Sequence, residues 1–483
     1  MFAADEVALI LKAFNYAAEQ HQGQRRKDIS ATPYINHPIA VVEMLWRIGG
    51  VRDTSVIVAA ILHDTVEETG ATPQDLERLF GRDVRGLVAE VTDDKSLSKS
   101  DRKCLQIEHA PHLSPEAKQI KLADKIANVS DVAFAPPPDW PHERRTTYLS
   151  WSDRVVAGLR GCNAALEAHY DAVVERARAR LEAEAPSATT SPHGSQHRAA
   201  MRTRLQISRN LAERLGHEIV EVLQSGHYLA ASGTRVDIQN QIDEAVRGTV
   251  SYPPDTELPT TSSSRGHTIV EVRNDTTLAA VEYLKTLCFR SAALNLASAT
   301  APGGGFLTGA RAQEEYLARS SALWACLVGN DMYSYHQARR DPFYSDYVIY
   351  SPDVPILRND GGELLETPYP CSIITSPAVH AFGVQRYVPE RLDDVSPAMW
   401  SRILKVLAVA ERHDHKALVL GAWGCGAFGN DGNEIAKLFR RALEDNFRDV
   451  FEYVVFAVAD WSEDERFIGP FNRAFGNGRI RFP

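Results

Sequence analysis

Four residues in the first 130 positions have the makings of a metal cage: His37, the adjacent pair His63-Asp64, and Asp124. All lie in or beside apolar stretches of helical spacing. The run into the pair reads Val56-Ile-Val-Ala-Ala-Ile-Leu-His-Asp-Thr-Val-Glu-Glu. A His-Asp pair closing such a run costs desolvation unless something compensates it, and a metal ion would do so. Imidazoles and carboxylates without a thiolate suit a borderline-to-hard divalent ion. Glu67 and Glu68 stand one turn beyond His63 and Asp64, on the same helix face. Two more carboxylates there could hold or polarise an attacking water. Asp124 and Asn128 are also one turn apart, in Lys121-Leu-Ala-Asp-Lys-Ile-Ala-Asn. A single His or a bare His-Asp dipeptide is ordinary; the conjunction carries the reading.

A second constellation follows an apolar run at 293–297. It reads Ser298-Ala-Thr-Ala-Pro-Gly-Gly-Gly-Phe-Leu-Thr-Gly-Ala-Arg-Ala-Gln-Glu-Glu. Gly303, Gly304 and Gly305 bare their backbone amides and admit a ligand closely. Gln313, Glu314 and Glu315 open a helix, where its dipole favours acids. Adjacent carboxyls repel, which keeps one protonated near neutral pH. Such a group can serve as a general acid at a leaving oxygen. Neighbours in sequence can hardly flank a scissile bond, so one acid and one positioner are expected. A second glycine loop, Ala417-Leu-Val-Leu-Gly-Ala-Trp-Gly-Cys-Gly-Ala-Phe-Gly-Asn, again runs from strand to helix. Ligands on α/β sheets bind where such loops converge. Phe428 there could stack on a ribose or base. His413 and His415 read as surface residues.

The elements that must position these groups fall into two patterns. Residues 1–183 read as nearly all helix, with runs at 7–20, 39–48, 54–68, 116–132 and 151–168. A polar stretch with Pro and Gly at 184–200 reads as a linker. Residues 201–483 open with a helix at 204–223 and then alternate. Strands are expected at 268–273, 293–297, 347–350, 371–375, 417–421 and 453–459. Helices are expected at 277–287, 313–328, 398–412 and 433–446. That alternation predicts a layered α/β sheet.

Composition sets limits. The 483 residues suit two to four domains, and the net charge of −10 excludes broad coating of nucleic acid. No apolar run approaches a membrane span. Asp5 and Glu6 stand where a signal peptide would carry cations. Six scattered cysteines without a C-x-x-C pair fit a reducing cytoplasm better than a disulfide scaffold.

The first half carries Gln24-Arg-Arg-Lys-Asp, Thr32-Pro-Tyr-Ile-Asn-His-Pro, Ala60-Ile-Leu-His-Asp-Thr-Val-Glu-Glu, Glu90-Val-Thr-Asp-Asp-Lys and Lys121-Leu-Ala-Asp-Lys in order. Over about residues 1–175 it resembles the HD-superfamily hydrolase domain of RelA/SpoT enzymes, above all the stand-alone small alarmone hydrolases of the metazoan SpoT homologue type. The resemblance implies an all-α domain holding one Mn²⁺ through His37, His63, Asp64 and Asp124, with Glu67 and Glu68 at the attacking water. It implies hydrolysis of a nucleotide 3′-diphosphate such as ppGpp. It also makes Arg25, Lys95, Asn128, Arg144 and Tyr148 substrate-binding candidates. The family usually has Glu-Asp where this chain has Glu67-Glu68. NADPH, through its 2′-phosphate, is another substrate of the family.

The second half, over about residues 201–475, resembles the macrodomain fold and within it the bacterial-type poly(ADP-ribose) glycohydrolases. This implies an α/β/α macrodomain with a helical N-terminal extension, needing no metal. By that likeness Glu315 is the catalytic acid and Glu314 holds the distal ribose hydroxyls. Asn295 lies at the ribose, and Gly303, Gly304, Gly305 and Gln313 belong to the distal ribose and diphosphate site. Gly424, Cys425, Gly426, Ala427 and Phe428 serve the diphosphate and ribose.

The whole reads as a two-domain, bifunctional hydrolase of small nucleotides and of ADP-ribose or ADP-ribosylated macromolecules, with no membrane partner. A detoxifying or antitoxin-like role is one setting for it. Alternatives are a phosphatase of NADPH-like or ADP-ribose-derived nucleotides, or a non-catalytic nucleotide and ADP-ribose sensor.

Overall fold

The computed structural model describes residues 3–28, 30–184, 202, 207–254, 256–258, 268–476 and 479–481. The chain divides into two compact units, Met1–Ser187 with Thr286–Cys288, and Ala188–Lys285 with Phe289–Pro483. The expected linker at 184–200 lies, apart from Glu184, outside the described residues. Among the described residues no helix is long and apolar enough to cross a membrane.

The first unit is helical. Its elements are α1 (Ala4–Gln20), α2 (Asn36–Arg47), α3 (Thr54–Leu62), α4 (Thr65–Glu68), α5 (Pro73–Phe80), α6 (Arg82–Val91), α7 (Lys99–His109), α8 (Pro115–Phe134), α9 (His142–Leu159) and α10 (Ala164–Glu184). The Asp53 carboxylate caps α3 by accepting from the amides of Ser55 and Val56. Every residue from Val56 to Leu62 is buried, so α3 is the core helix. Ser114 caps α8, with Pro115 in its first turn. α8 packs against α2, α9 and α10.

The structure departs from the expected helices in three ways. The run 54–68 breaks at His63-Asp64, though both keep right-handed backbone angles. The Thr65 hydroxyl donates to Leu62 O (2.7 Å) at the join. The run 151–168 spans two helices, because Gly161 takes φ +88° between α9 and α10. Helices α5, α6 and α7 were hidden by their polar sequences, and α7 buries no residue. A further correction concerns the cysteines: Cys104 and Cys288 form a disulfide. Pairing across 184 residues cannot be read from spacing.

The second unit opens with α11 (Arg209–Ser225), β1 (His227–Leu229), β2 (Arg235–Asp237), α12 (Gln239–Gly248) and β3 (Val250–Tyr252). Next come β4 (Ile269–Arg273), α13 (Thr277–Thr286), β5 (Ser291–Ala297), α14 (Gln313–Ser320), α15 (Leu323–Leu327), α16 (Asp331–Arg339), β6 (Val348–Arg358) and β7 (Leu364–Pro377). The chain ends with α17 (Ala381–Tyr387), α18 (Val395–Arg412), β8 (Ala417–Leu420), α19 (Gly432–Arg441), β9 (Tyr453–Ala457), α20 (Gly469–Phe475) and β10 (Arg479–Arg481). The main sheet has eight strands in the order β10-β4-β9-β8-β5-β7-β6-β3. Its central five, β4-β9-β8-β5-β7, are parallel. Strands β10, β6 and β3 pair antiparallel at the flanks. All residues of β8 and β9 are buried, so both faces of the sheet are covered.

Here too the pattern was only partly visible. β6 and β7 form a hairpin far longer than the strands expected at 347–350 and 371–375. Pro352, Asp353, Pro355 and Pro370 interrupt the apolar alternation, and the register shifts between Ser351 and Val354. The expected helix 313–328 breaks where Ser321 is extended and pairs with Ile356.

Candidate active sites

In the first unit, α2, the α3–α4 join and α8 bring the four metal candidates together. His37 Nε2 lies 3.1 Å from Asp124 Oδ1 and 3.6 Å from Asp64 Oδ2. His63 Nε2 lies 3.3 Å from Asp64 Oδ2 and 3.7 Å from Asp124 Oδ1. One ligand atom each from His37, His63 and Asp124 fall within 4.8 Å of one another, and all three residues are buried. Asp64 stands beside both imidazoles, steadied by the Tyr34 hydroxyl (2.7 Å). Asn128 donates to Asp124 Oδ1 (2.6 Å).

The chemistry of this donor set fits a cation. His63 Nδ1 faces Ala60 O at 2.8 Å, so it must donate, which leaves Nε2 facing two carboxylates. That nitrogen is buried and makes no hydrogen bond among the described residues. Burial opposes charge on His63, yet the Asp64 and Asp124 carboxylates outweigh it and raise its pKa to about 9. A divalent ion would satisfy the same oxygens and the orphaned nitrogen together.

The surrounding candidates differ in their fates. Glu67 is partly buried, accepts from the Asp93 amide (3.4 Å) and lies 3.6 Å from Arg102. Burial, then Asp93 and Asp64, push its carboxyl above the usual range. Glu68 is more exposed and pairs with Lys95 at 2.9 Å. Arg25 is exposed, its backbone bridged to Pro33. Arg144 lies over the Trp140 ring (4.1 Å), and Tyr148 sits between the rings of Trp140 and Trp151. Sequence reasoning missed three partners. Tyr34 holds Asp64, while Lys103 and Lys125 lie over Trp151 at 5.0 and 4.6 Å. Burial, then Lys99 and Lys125, bring Lys103 down to about 8. The Lys99–Lys103 spacing, one turn of α7, was the available signal.

In the second unit a cleft of about 480 Å³ opens beyond the C-terminal ends of the central strands. Its lining includes Glu314, Glu315, Tyr344, Gly424, Ala427 and Phe428. Glu314 accepts from the Ser298 amide (2.6 Å) and faces the buried Asn295 Nδ2 (3.5 Å). Glu315 Oε1 accepts from the Gly305 amide (2.9 Å). The first glycine loop therefore turns amides toward the acids instead of leaving them bare. Gly304 has φ +60°, and a Cβ there would lie 2.3 Å from Glu315 Oε1 and 3.0 Å from Glu314 Oε2. Among the described residues Glu315 Oε2 and Asn295 Oδ1 are buried without a hydrogen-bond partner. Burial raises Glu314 to about 8, with Glu315 adding to it. The raised proton affinity thus falls on the residue expected to be the positioner.

Gln313 commits its amide to the protein. It accepts from Leu296 N (2.9 Å) and donates to Leu294 O (2.8 Å) and Thr277 (3.1 Å), pinning the start of α14 to β5. In the second loop the amides of Gly424, Gly426, Ala427 and Phe428 donate to no acceptor among the described residues. Successive free amides of this kind make an anion cradle. Cys425 turns away from the cleft toward Trp423 O, and burial pushes its thiol up to about 12. His413 and His415 correct the surface reading. His413 stacks on Tyr350 (3.6 Å) and bonds Tyr252, while buried His415 bonds the Tyr350 hydroxyl (2.9 Å).

Comparison with known proteins agrees with this division. Residues 13–150 match an HD domain, and residues 216–359 match the microbial-type PARG catalytic domain. The Xenopus tropicalis guanosine-3′,5′-bis(diphosphate) 3′-pyrophosphohydrolase MESH1 is 52% identical over 168 residues, covering 35% of this chain and 94% of that protein. The crystal structure of poly(ADP-ribose) glycohydrolase from Thermomonospora curvata covers 55% of this chain and 100% of its own, at 42% identity and TM-score 0.53. The same enzyme bound to the inhibitor ADP-HPD gives the same coverage at 43% identity and TM-score 0.51. The chain thus carries two hydrolase domains, one of HD type with a candidate divalent-metal site. The chain belongs, through its N-terminal part, to the MESH1 family of HD-domain hydrolases and, through its C-terminal part, to the microbial-type PARG family.

Proposed function

We propose that the first unit hydrolyses the 3′-diphosphate of a purine nucleotide such as ppGpp with Mn²⁺, and that the second releases ADP-ribose by glycoside hydrolysis. The orphaned His63 Nε2, aimed at Asp64 and Asp124, carries the first reading. His37, His63, Asp64 and Asp124 would hold the ion, which supplies Lewis-acid polarisation of a phosphoryl oxygen. Asn128 and Tyr34 orient the carboxylates through their hydrogen bonds. Glu67, with Glu68 beside it, takes the proton of the attacking water; a carboxyl raised by burial does so nearer neutral pH. Arg25, Lys95, Arg144 and Tyr148 meet the nucleotide and its phosphates, Lys95 on leaving Glu68.

The buried acid pair bracketing Gly304 carries the second reading. The pair keeps a proton near neutral pH, as Glu314 at about 8 requires. Glu315 Oε2, free of protein partners, is the oxygen that protonates the leaving group. Glu314 and Asn295 hold the distal ribose hydroxyls. The free amides at Gly424 and Gly426–Phe428 take the diphosphate. Gln313 serves by fixing where the acids stand. The fold reads as a macrodomain preceded by α11, and the two domains join at 184–200. Together they dismantle phosphorylated and ADP-ribosylated purine compounds, the combination a detoxifying enzyme needs.

Full-length protein loaded with Mn²⁺ should release diphosphate from ppGpp or ppApp, or phosphate from NADPH. It should also release ADP-ribose from ADP-ribose chains. Mass spectrometry of the products tests both, and no release by the metal-loaded protein from any of the three nucleotides refutes the first reading. Release of ADP-ribose by Glu315→Ala as fast as by wild type refutes the second.

A further inference from the structure

We propose that the cleft of the second unit continues onto an aromatic and cationic rim, formed by Phe382, Arg386 and Tyr387, that binds the leaving nucleotide of an ADP-ribose chain. The inference rests on the glycohydrolase reading above and names its substrate class. A cleft of about 480 Å³ is of a size for one small molecule. In an ADP-ribose chain the ribosyl carbon is bonded to a ribose oxygen of the next unit. The leaving group therefore carries its own adenine and diphosphate, which must emerge beside the acid pair.

A set of packing contacts, passing through the buried His336, connects that pair with the wall of the cleft and the rim beyond it. Ser298 N donates to Glu314, and the next carbonyl, Ala299 O, faces His336 Nδ1 at 3.3 Å. The His336 ring lies 5.6 Å from that of Tyr344, which lies 6.2 Å from that of Phe428. Both Tyr344 and Phe428 line the cleft. Phe428 O accepts from Phe382 N (3.1 Å), and the Phe382 ring stands outside. That ring rests on Gly429, where a Cβ would come within 2.6 Å of three of its carbons. It is nonetheless 56% exposed.

Arg386 lies one turn beyond Phe382 on α17, on the same face. Its guanidinium is 5.3 Å from the ring of Tyr387, which is 67% exposed. Among the described residues Arg386 has no carboxylate partner. Two exposed rings on the same short helix as a cation without a carboxylate partner among the described residues are what a base and a diphosphate require. A purely apolar partner would leave that cation unanswered, so charge and continuity with the cleft favour the nucleotide.

The test uses full-length Phe382→Ala and Arg386→Ala. Two quantities are read: kcat/KM for release of ADP-ribose from purified chains, and calorimetric affinity for free ADP-ribose, which reports the cleft alone. Phe382→Ala should lower kcat/KM on chains by at least about fivefold, the low end for loss of a stacked base. Arg386→Ala should lower it as well, with a weaker dependence on salt. The ADP-ribose affinity of both should stay within twofold of wild type. A smaller loss on chains, or an equal loss of ADP-ribose affinity, overturns the proposal. If wild type releases no ADP-ribose from chains, the glycohydrolase reading itself falls and this inference falls with it.

Discussion

Gly304→Ala gives a sharp test of how the glycine loop works. The backbone at Gly304 has φ +60°, and holding an L-residue there costs about 1–2 kcal/mol. The new Cβ would sit 2.3 Å from Glu315 Oε1, whereas ordinary contact begins near 3.4 Å. The carboxylate must therefore retreat by about 1 Å, and a displacement of that size can cost on the order of 100-fold in rate. Retreat also strains the hydrogen bond from Gly305 N, worth about 1 kcal/mol. Glu314 Oε2, at 3.0 Å from the same Cβ, is crowded less. The variant should thus lose about 100-fold in kcat for ADP-ribose release, with a much smaller change in ADP-ribose affinity. Stopped-time product assays and calorimetry on the full chain separate the two. Thermal unfolding of the second unit should show a loss of about 2 kcal/mol, too little to unfold it. A variant retaining more than a third of wild-type kcat would refute the idea that this glycine exists to seat the acid pair.

Other outcomes follow from the same geometry. Asp124→Asn should cut the divalent metal retained after dialysis, read by elemental analysis, and abolish nucleotide hydrolysis while sparing ADP-ribose release. Asn128→Ala removes the 2.6 Å bond that orients Asp124 and should weaken metal binding by about 10–100-fold in competition with a chelator. Glu314, at about 8 in the fold against an ordinary 4.5, keeps a proton that the unfolded chain releases. Its contribution to stability is whole below about pH 4.5 and is lost as pH rises toward about 8, a fall on the order of several kcal/mol. Denaturation of the second unit followed from pH 5 to pH 8 should show this slope, and Glu314→Gln should flatten it. An identical slope in the variant would place the proton elsewhere.

How much of this was legible in the sequence depended on which physical constraint wrote each segment. Strands β5, β8 and β9 are buried on both faces, so they appear as largely apolar runs and were placed within two residues. Strands β6 and β7 reach toward the flank of the sheet, where prolines and a register shift are tolerated, and only the stretches at 348–350 and 371–375 carried a signal. α7 buries nothing and shows no apolar period, yet it presents Lys103 to Trp151. The metal cage was readable because its four ligands, two His and two Asp, stand in the quoted motifs in order. Tyr34 stands in the quoted motif, but its bond to Asp64 crosses 30 residues of sequence and only the fold reveals it.

The acid pair shows the same limit from the opposite side. Its residue types and position at a helix start were plain, and so was the need for one protonated member. The distribution of labour was not, because it depends on which amides reach which oxygen. Ser298 and Asn295 face Glu314, Gly305 faces Glu315, and one oxygen of Glu315 is left unpartnered. The stored proton is drawn to the more deeply buried Glu314, while the free oxygen belongs to Glu315. Proton storage and proton delivery are therefore properties of the pair. Substituting either acid should change the pH profile of ADP-ribose release as well as its rate.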